Sequence, residues 1–194
     1  MRVAVDCDGV LYDWDGTARH MLRRYLSEME RPAIPGLLEP SRYWSAIRDM
    51  VGNEAWDWLW SHGVEQGLFR NGHIIKGALD SLRLLAKRHE VILVTSRPKN
   101  AVMDTLEWVS FMLRGVDISG IHVLHQGQKK TTIPWDVLID DGLHNVEDAL
   151  DAGRKAVLFS QPWNAGGILR IGKHFPVPGV LMQVAGWGEV LEIL

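Results

Sequence analysis

Val3-Ala4-Val5-Asp6-Cys7-Asp8-Gly9-Val10-Leu11 is an apolar run that stops on an acid, skips one residue and sets a second acid before a glycine. It reads as a buried strand that delivers carboxylates to its own C-terminal end. In an open parallel sheet that edge is where ligands bind, because strand ends and the loops that follow them form a crevice. Neighbouring side chains of a strand point to opposite faces, but a turn at Gly9 lets Asp6 and Asp8 converge. Two converging carboxylates repel, and a hard, oxygen-seeking ion such as Mg²⁺ relieves the repulsion. The same residues also suit an ordinary Asp-Gly turn with no chemistry attached.

Downstream, helices and short apolar strands alternate. Helices are expected over 77–88, 101–113 and 145–152, and strands over 91–94, 121–124, 136–139 and 156–159. With the first strand this makes five, and fully apolar strands separated by amphipathic helices indicate a parallel sheet covered on both faces. The block from Trp14 to Arg70 contains no strand pattern. It reads instead as helices over 17–30, to about Val51, and over 53–62, a helical insertion after the first strand. The tail is rich in Pro and Gly and closes on a short helix near Glu189 to Leu194.

A chain of 194 residues suits one well-buried fold unit. With 21 Lys and Arg against 24 Asp and Glu, the excess positive charge of a backbone-binding protein is missing, so no nucleic-acid polymer is expected as partner. No apolar run approaches the roughly 20 residues that span a bilayer, and Asp6 interrupts the N-terminus before a signal-peptide core could form. The expectation is a cytoplasmic protein with no membrane partner, and a homodimer stays open. Cys7, the single cysteine, cannot form an internal disulfide and suits a packing role. The histidines show no H-x-x-x-H spacing, which argues against zinc.

Two further strand ends carry polar residues. Val94-Thr95-Ser96-Arg97-Pro98 offers hydroxyls and loop N–H groups to a phosphate, although Thr or Ser there also serves as a helix cap. Leu138-Ile139-Asp140-Asp141-Gly142 again runs from apolar residues into acids, supplying oxygens that Asp6 alone cannot. Lys129-Lys130 lies a few residues upstream, where one ammonium could neutralise phosphate charge; a lysine pair is also common on a solvated surface.

In this order, DCDGV, TS, Lys130 and LIDD resemble the motifs of the haloacid dehalogenase (HAD) superfamily of phosphohydrolases, over residues 1–13 and 74–160. The chain is similar in more detail to the 5'(3')-deoxyribonucleotidases. Trp14-Asp15 after the first motif, Tyr43-Trp44, Leu68-Phe69 before Gly77-Ala78, Lys130-Thr131-Thr132 and Gln161-Pro162-Trp163-Asn164 carry that likeness. The resemblance implies an α/β, Rossmann-like HAD core at 1–13 and 74–194, with a helical cap at 14–73. It implies Mg²⁺-dependent hydrolysis of (deoxy)nucleoside monophosphates, with Asp6 as nucleophile and Asp8 as acid and base. The metal ligands would be Asp6, Asp8 through its carbonyl and Asp140, with Asp141 acting directly or through water. Thr95, Ser96, Lys130 and Gly9 would bind phosphate, and Trp14, Tyr43, Trp44, Phe69 and Arg97 the rest of a small-molecule nucleotide. Trp56 and Trp60, four residues apart, are read as one packing face of a helix. That family often has arginine where this chain has Gln128, two residues before Lys130, a departure at a position tied to phosphate or sugar selectivity. Another small phosphate ester, a polynucleotide 3'-phosphate, or a non-catalytic nucleotide-binding module are the competing readings.

Overall fold

In the computed structural model, residues 1–43, 45–125, 127–167 and 181–194 are described. Six parallel strands form one sheet in the order β3-β2-β1-β4-β5-β6. They are β1 (Arg2–Val5), β2 (Glu90–Ser96), β3 (Ile118–Leu124), β4 (Val137–Asp140), β5 (Lys155–Phe159) and β6 (Leu181–Val184). Five strands were expected, and β6 corrects that count. Its four residues lie at an edge, just after a Pro- and Gly-rich stretch, and Gln183 interrupts their apolar run, so the sequence there reads as loop.

The alternation of side chains gives the sheet two apolar faces. Val3, Val5, Leu93, Val137, Ile139 and Val157 belong to one cluster, while Ala4, Ile92, Val94, Leu138, Ala156 and Leu158 belong to another. The second face is covered by Val146, Ala149 and Leu150 of α5 (Leu143–Asp151). The first is covered by α3 (Ala78–Ala86), α4 (Val102–Met112) and α6 (Trp187–Ile193). Burial of each large apolar side chain there contributes about 1.5–3 kcal/mol, which is what holds helices to sheet.

Between β1 and α3 the described residues carry helices and no strand. They are α1 (Trp14–Glu28), α2 (Ala46–Trp58) and a π-helical turn, Leu59–Gly63. The two helical runs expected on either side of Gly52 form one element broken at that residue, whose φ of 79° only glycine adopts without strain. Leu22, Ile47 and Leu59 of this block share the cluster of the sheet's first face. No helix among the described residues is long and apolar enough to cross a membrane.

Strand order fixes the site. The chain runs outward from β1 to β2 and β3, then restarts on the other side with β4, so the order reverses between β1 and β4. Crevices form at that switch point. Val5 pairs with Ile139, so the next residues, Asp6 and Asp140, emerge side by side at the C-terminal edge.

Candidate active site

Asp6, Asp140 and Asp141 are buried and each offers a carboxylate oxygen within 4.8 Å of the others'. Lys130, itself buried, places Nζ 2.8 Å from Asp6 Oδ1 and 2.7 Å from Asp140 Oδ2. Three carboxylates against one ammonium leave two negative charges, which buried groups do not carry unpartnered. The deficit matches one divalent cation, and an all-oxygen donor set suits a hard ion. Lys130 is presented by a short 3₁₀ turn, Lys130–Thr132, whose first carbonyl accepts the Trp135 indole N–H at 3.0 Å.

Burial, then the charges of Asp140 and Asp8, push the Asp6 carboxyl up to about 7, although Lys130 opposes them. Burial and the neighbouring Asp140 and Asp6 raise Asp141 well above the usual carboxylate range. For Lys130 burial favours the neutral amine, but Asp140 and Asp6 more than offset it and the pKa rises. Cys7 is packed and its thiol, pushed up to about 12 mainly by burial, is inert. A stability trend follows. The folded state keeps the Asp6 proton at pH values where an unfolded Asp, with pKa about 3.9, has lost it. Stability of metal-free protein is therefore expected to fall as pH rises from about 4 to about 7. Melting in EDTA at pH 5 and pH 8 reads this out: a lower Tm at pH 8, and a larger gain there on adding Mg²⁺, because ligands must be deprotonated to bind. A Tm that climbs between those pH values and ignores Mg²⁺ would contradict it.

The loops hold these acids in place. Gly9 has φ +76°, and a Cβ built on it would stand 2.4 Å from Asp141 Oδ2, so its hydrogen is what lets the first loop approach the acid. The Gln161–Asn164 segment then straps both sides together. Gln161 Nε2 donates to the Gly9 carbonyl at 2.6 Å, Trp163 Nε1 to Asp141 Oδ2 at 2.7 Å, and Asn164 Nδ2 to the Asp141 carbonyl at 2.9 Å. On the other acid, Gly142 N and Asn145 Nδ2 donate to Asp140 Oδ1 at 2.8 and 3.1 Å.

A cavity of about 440 Å³ opens over the acids. Asp6, Asp8, Thr95, Ser96, Lys130 and Asp141 form its floor, and Trp14, Trp56, Trp60 and Phe69 one wall. Thr95 Oγ1 is buried there with no hydrogen-bond partner, a cost of about 1–3 kcal/mol that a bound acceptor or donor would remove. Trp60 stacks on Trp14 with ring centres 5.7 Å apart and an angle of 26°, and meets Trp56 edge-on at 5.7 Å. The reading of Trp56 and Trp60 as a packing face is thus incomplete. Trp56 near the end of α2 and Trp60 on the π-helical turn both line the cavity, and helical periodicity cannot tell a face that meets a cavity from one that meets the sheet.

Sequence reasoning also missed Ser45, Arg48, His144 and Asn145 on the rim, polar residues without a spacing signal. Tyr43 does not line the cavity and is 52 % exposed; Trp44 lies outside the described residues. Asp15 is occupied structurally. Its carboxylate takes Arg19 Nε at 2.8 Å, Ser41 N at 3.2 Å and the Ser41 hydroxyl, tying the segment before Tyr43 to α1. Gln128 does not line the cavity; its Oε1 accepts His125 N at 2.8 Å, and Lys129 pairs with Asp148 at 2.5 Å on the surface. Arg97, expected at the substrate, is 2 % exposed, does not line the cavity, and faces Asp8 instead.

A family model for 5' nucleotidase, deoxy (pyrimidine), cytosolic type C protein (NT5C) matches residues 1–173. YqfW of Bacillus subtilis, provisionally named a nucleotidase, is 23% identical over 197 residues, covering 99% of this chain and 92% of that one. A 5'(3')-deoxyribonucleotidase of Bacillus subtilis is 31% identical over 103 residues, 52% of this chain and 56% of the relative. Among solved structures, YfnB of Bacillus subtilis, described as a HAD hydrolase and crystallised with magnesium, shares the fold with a TM-score of 0.61 at 16% identity, covering 100% of this chain and 97% of that one. An acid cluster at a sheet switch point, facing a cavity of small-molecule size, is what such a hydrolase needs, and the chain belongs to the NT5C nucleotidase family of HAD-superfamily phosphomonoesterases.

Proposed function

We propose that this enzyme is a Mg²⁺-dependent phosphatase of (deoxy)nucleoside monophosphates that works through an aspartyl-phosphate on Asp6. The observation that carries the reading is a single cavity with a charged floor and an aromatic wall, which matches a phosphate at one end and a nucleobase at the other. Its volume of about 440 Å³ suits a mononucleotide rather than a polymer. The segment 14–73 acts as the cap that supplies this wall, and the enzyme works in the cytoplasm.

Asp6 receives Cys7 N at 2.7 Å and Lys130 Nζ at 2.8 Å on the same oxygen, Oδ1. Oδ2 is then the atom that attacks phosphorus as the ester P–O bond breaks. Asp8 gives a proton to the leaving sugar oxygen, and later takes one from the water that attacks the aspartyl-phosphate, releasing phosphate and restoring Asp6. Lys130, the Thr95 and Ser96 hydroxyls and loop N–H groups hold the phosphoryl oxygens. Asp6, Asp140, Asp141 and the Asp8 carbonyl would hold Mg²⁺, whose charge would offset the repulsion between anionic nucleophile and anionic substrate.

A phosphate-release screen over nucleoside monophosphates and sugar phosphates, with Mg²⁺ and with EDTA, tests the reading. Deoxynucleotides are expected to react fastest and EDTA to stop the reaction; equal rates on sugar phosphates, or turnover in EDTA, would overturn it. Trp60→Ala is expected to raise KM for nucleotides about tenfold, a stacking contribution of about 1–3 kcal/mol, while p-nitrophenyl phosphate keeps its KM. Equal losses on both substrates would assign Trp60 to packing after all.

A further inference from the structure

We infer that Arg97 is a positioning residue that holds Asp8 in the orientation needed for proton transfer; this rests on the acid–base role proposed for Asp8. Arg97 Nη2 lies 2.6 Å from Asp8 Oδ1 and Nε 2.9 Å from Asp8 Oδ2, a two-pronged contact that fixes the carboxylate plane as well as its distance. The guanidinium cannot wander. Its Nη1 donates to Thr105 Oγ1 at 3.0 Å, and that hydroxyl donates to the Ala101 carbonyl at 2.7 Å, anchoring the arginine to the start of α4. Its Cζ sits over the rings of Tyr12 at 4.9 Å and Phe69 at 4.8 Å. Tyr12 is held in turn, donating to the Leu68 carbonyl at 2.6 Å and accepting from Gly72 N at 2.7 Å.

The asymmetry of exposure sets the direction of action. The Arg97 side chain is fully buried, whereas 17 % of the Asp8 side chain remains accessible and Asp8 lines the cavity. Arg97 therefore does not touch substrate itself and acts through Asp8. A carboxyl group has about four lone-pair sites, so two arginine bonds leave one free on each oxygen: one carries the proton that Asp8 donates to the leaving oxygen, and the site so vacated later accepts a proton from the water. A freely rotating Asp8 would meet the reacting oxygen in only a fraction of its rotamers. The grip of Arg97 removes that loss, and placing Phe69 both on the cavity wall and against the guanidinium links substrate seating to the same clamp.

Leaving-group dependence separates this role from mere packing. A sugar alkoxide needs a proton as it departs; p-nitrophenolate does not. The measurement is kcat/KM, which ends at release of the leaving group, for a nucleoside monophosphate and for p-nitrophenyl phosphate, in Arg97→Met, Arg97→Lys, Asp8→Asn and the Arg97→Met/Asp8→Asn double variant. Asp8→Asn should lose on the order of 100-fold on the nucleotide and far less on the aryl ester. Arg97→Met should lose about tenfold with the same skew, and the double variant should be no slower than Asp8→Asn alone. Arg97→Lys, which keeps the charge but not the fork, should fall between wild type and Arg97→Met, and it carries the test if the methionine variant does not fold. If Asp8→Asn shows no skew, the acid role itself fails. If Asp8→Asn is skewed while the Arg97 variants lose equally on both substrates, or add fully to Asp8→Asn, Arg97 only supports the fold and the positioning role is wrong.

Discussion

Asp6→Asn is expected to lower turnover of every phosphomonoester by about 10⁴-fold or more, the scale seen when a nucleophile is removed from a site that acts as a unit. The substitution is isosteric, so the amide oxygen can still accept from Cys7 N and Lys130, the two partners at 2.7 and 2.8 Å. Lost activity is thus separable from lost fold. Because burial already pushes the Asp6 carboxyl up to about 7, an uncharged amide removes a cost, and metal-free Asp6→Asn should melt no lower than wild type at pH 8. Measured rates within tenfold of wild type would remove Asp6 from the role of nucleophile, whatever the melting curve.

Lys130→Met has the second large effect, and it acts on both stability and rate. Among the described residues the ammonium is the one cation placed between Asp6 and Asp140, at 2.8 and 2.7 Å, and both it and Asp140 are buried. Methionine fits the volume but leaves the carboxylates uncompensated, a change that costs about 3–5 kcal/mol in buried pairs. In EDTA at pH 8 that corresponds to a fall in Tm of roughly 10 °C. The loss should shrink at pH 5, where the carboxyls can take up protons instead. Turnover should fall about 10²–10³-fold, as when one donor to the developing charge is deleted. A Lys130→Met protein with wild-type melting at pH 8 would show that these acids do not repel as the geometry requires.

Much of this site is written in the chain because its acids sit at strand ends. An apolar run fixes a buried strand, the residue just past it must lie at the sheet edge, and parallel pairing of β1 with β4 brings Asp6 beside Asp140. Thr95 and Ser96 follow from the same logic on β2. What the sequence conceals is whatever depends on how elements dock or on long-range partners. Trp56 and Trp60 share one helical face, as their spacing says, but that this face meets the cavity depends on how the helices dock, which spacing does not show. Arg97 follows Thr95-Ser96 in the chain, yet its partner Asp8 is 89 residues away and only the fold shows that it turns inward. The Gln161–Asn164 strap is recognisable as a motif, but its work, closing on Gly9 and Asp141, is visible only in three dimensions. The edge strand β6 is hidden by the Pro- and Gly-rich stretch it follows and by Gln183 interrupting its apolar run.

The proposed mechanism, in which several acids gather round one ion so that one of them takes up a phosphoryl group, makes an intermediate that can be captured. Wild-type enzyme mixed with a deoxynucleoside monophosphate and Mg²⁺, quenched in acid within a turnover and digested, should yield a phosphorylated peptide in which the group maps to Asp6, and Asp6→Asn should yield none. Steady turnover with no phosphoryl group on Asp6 at any quench time, or with the group on another residue, would contradict the account.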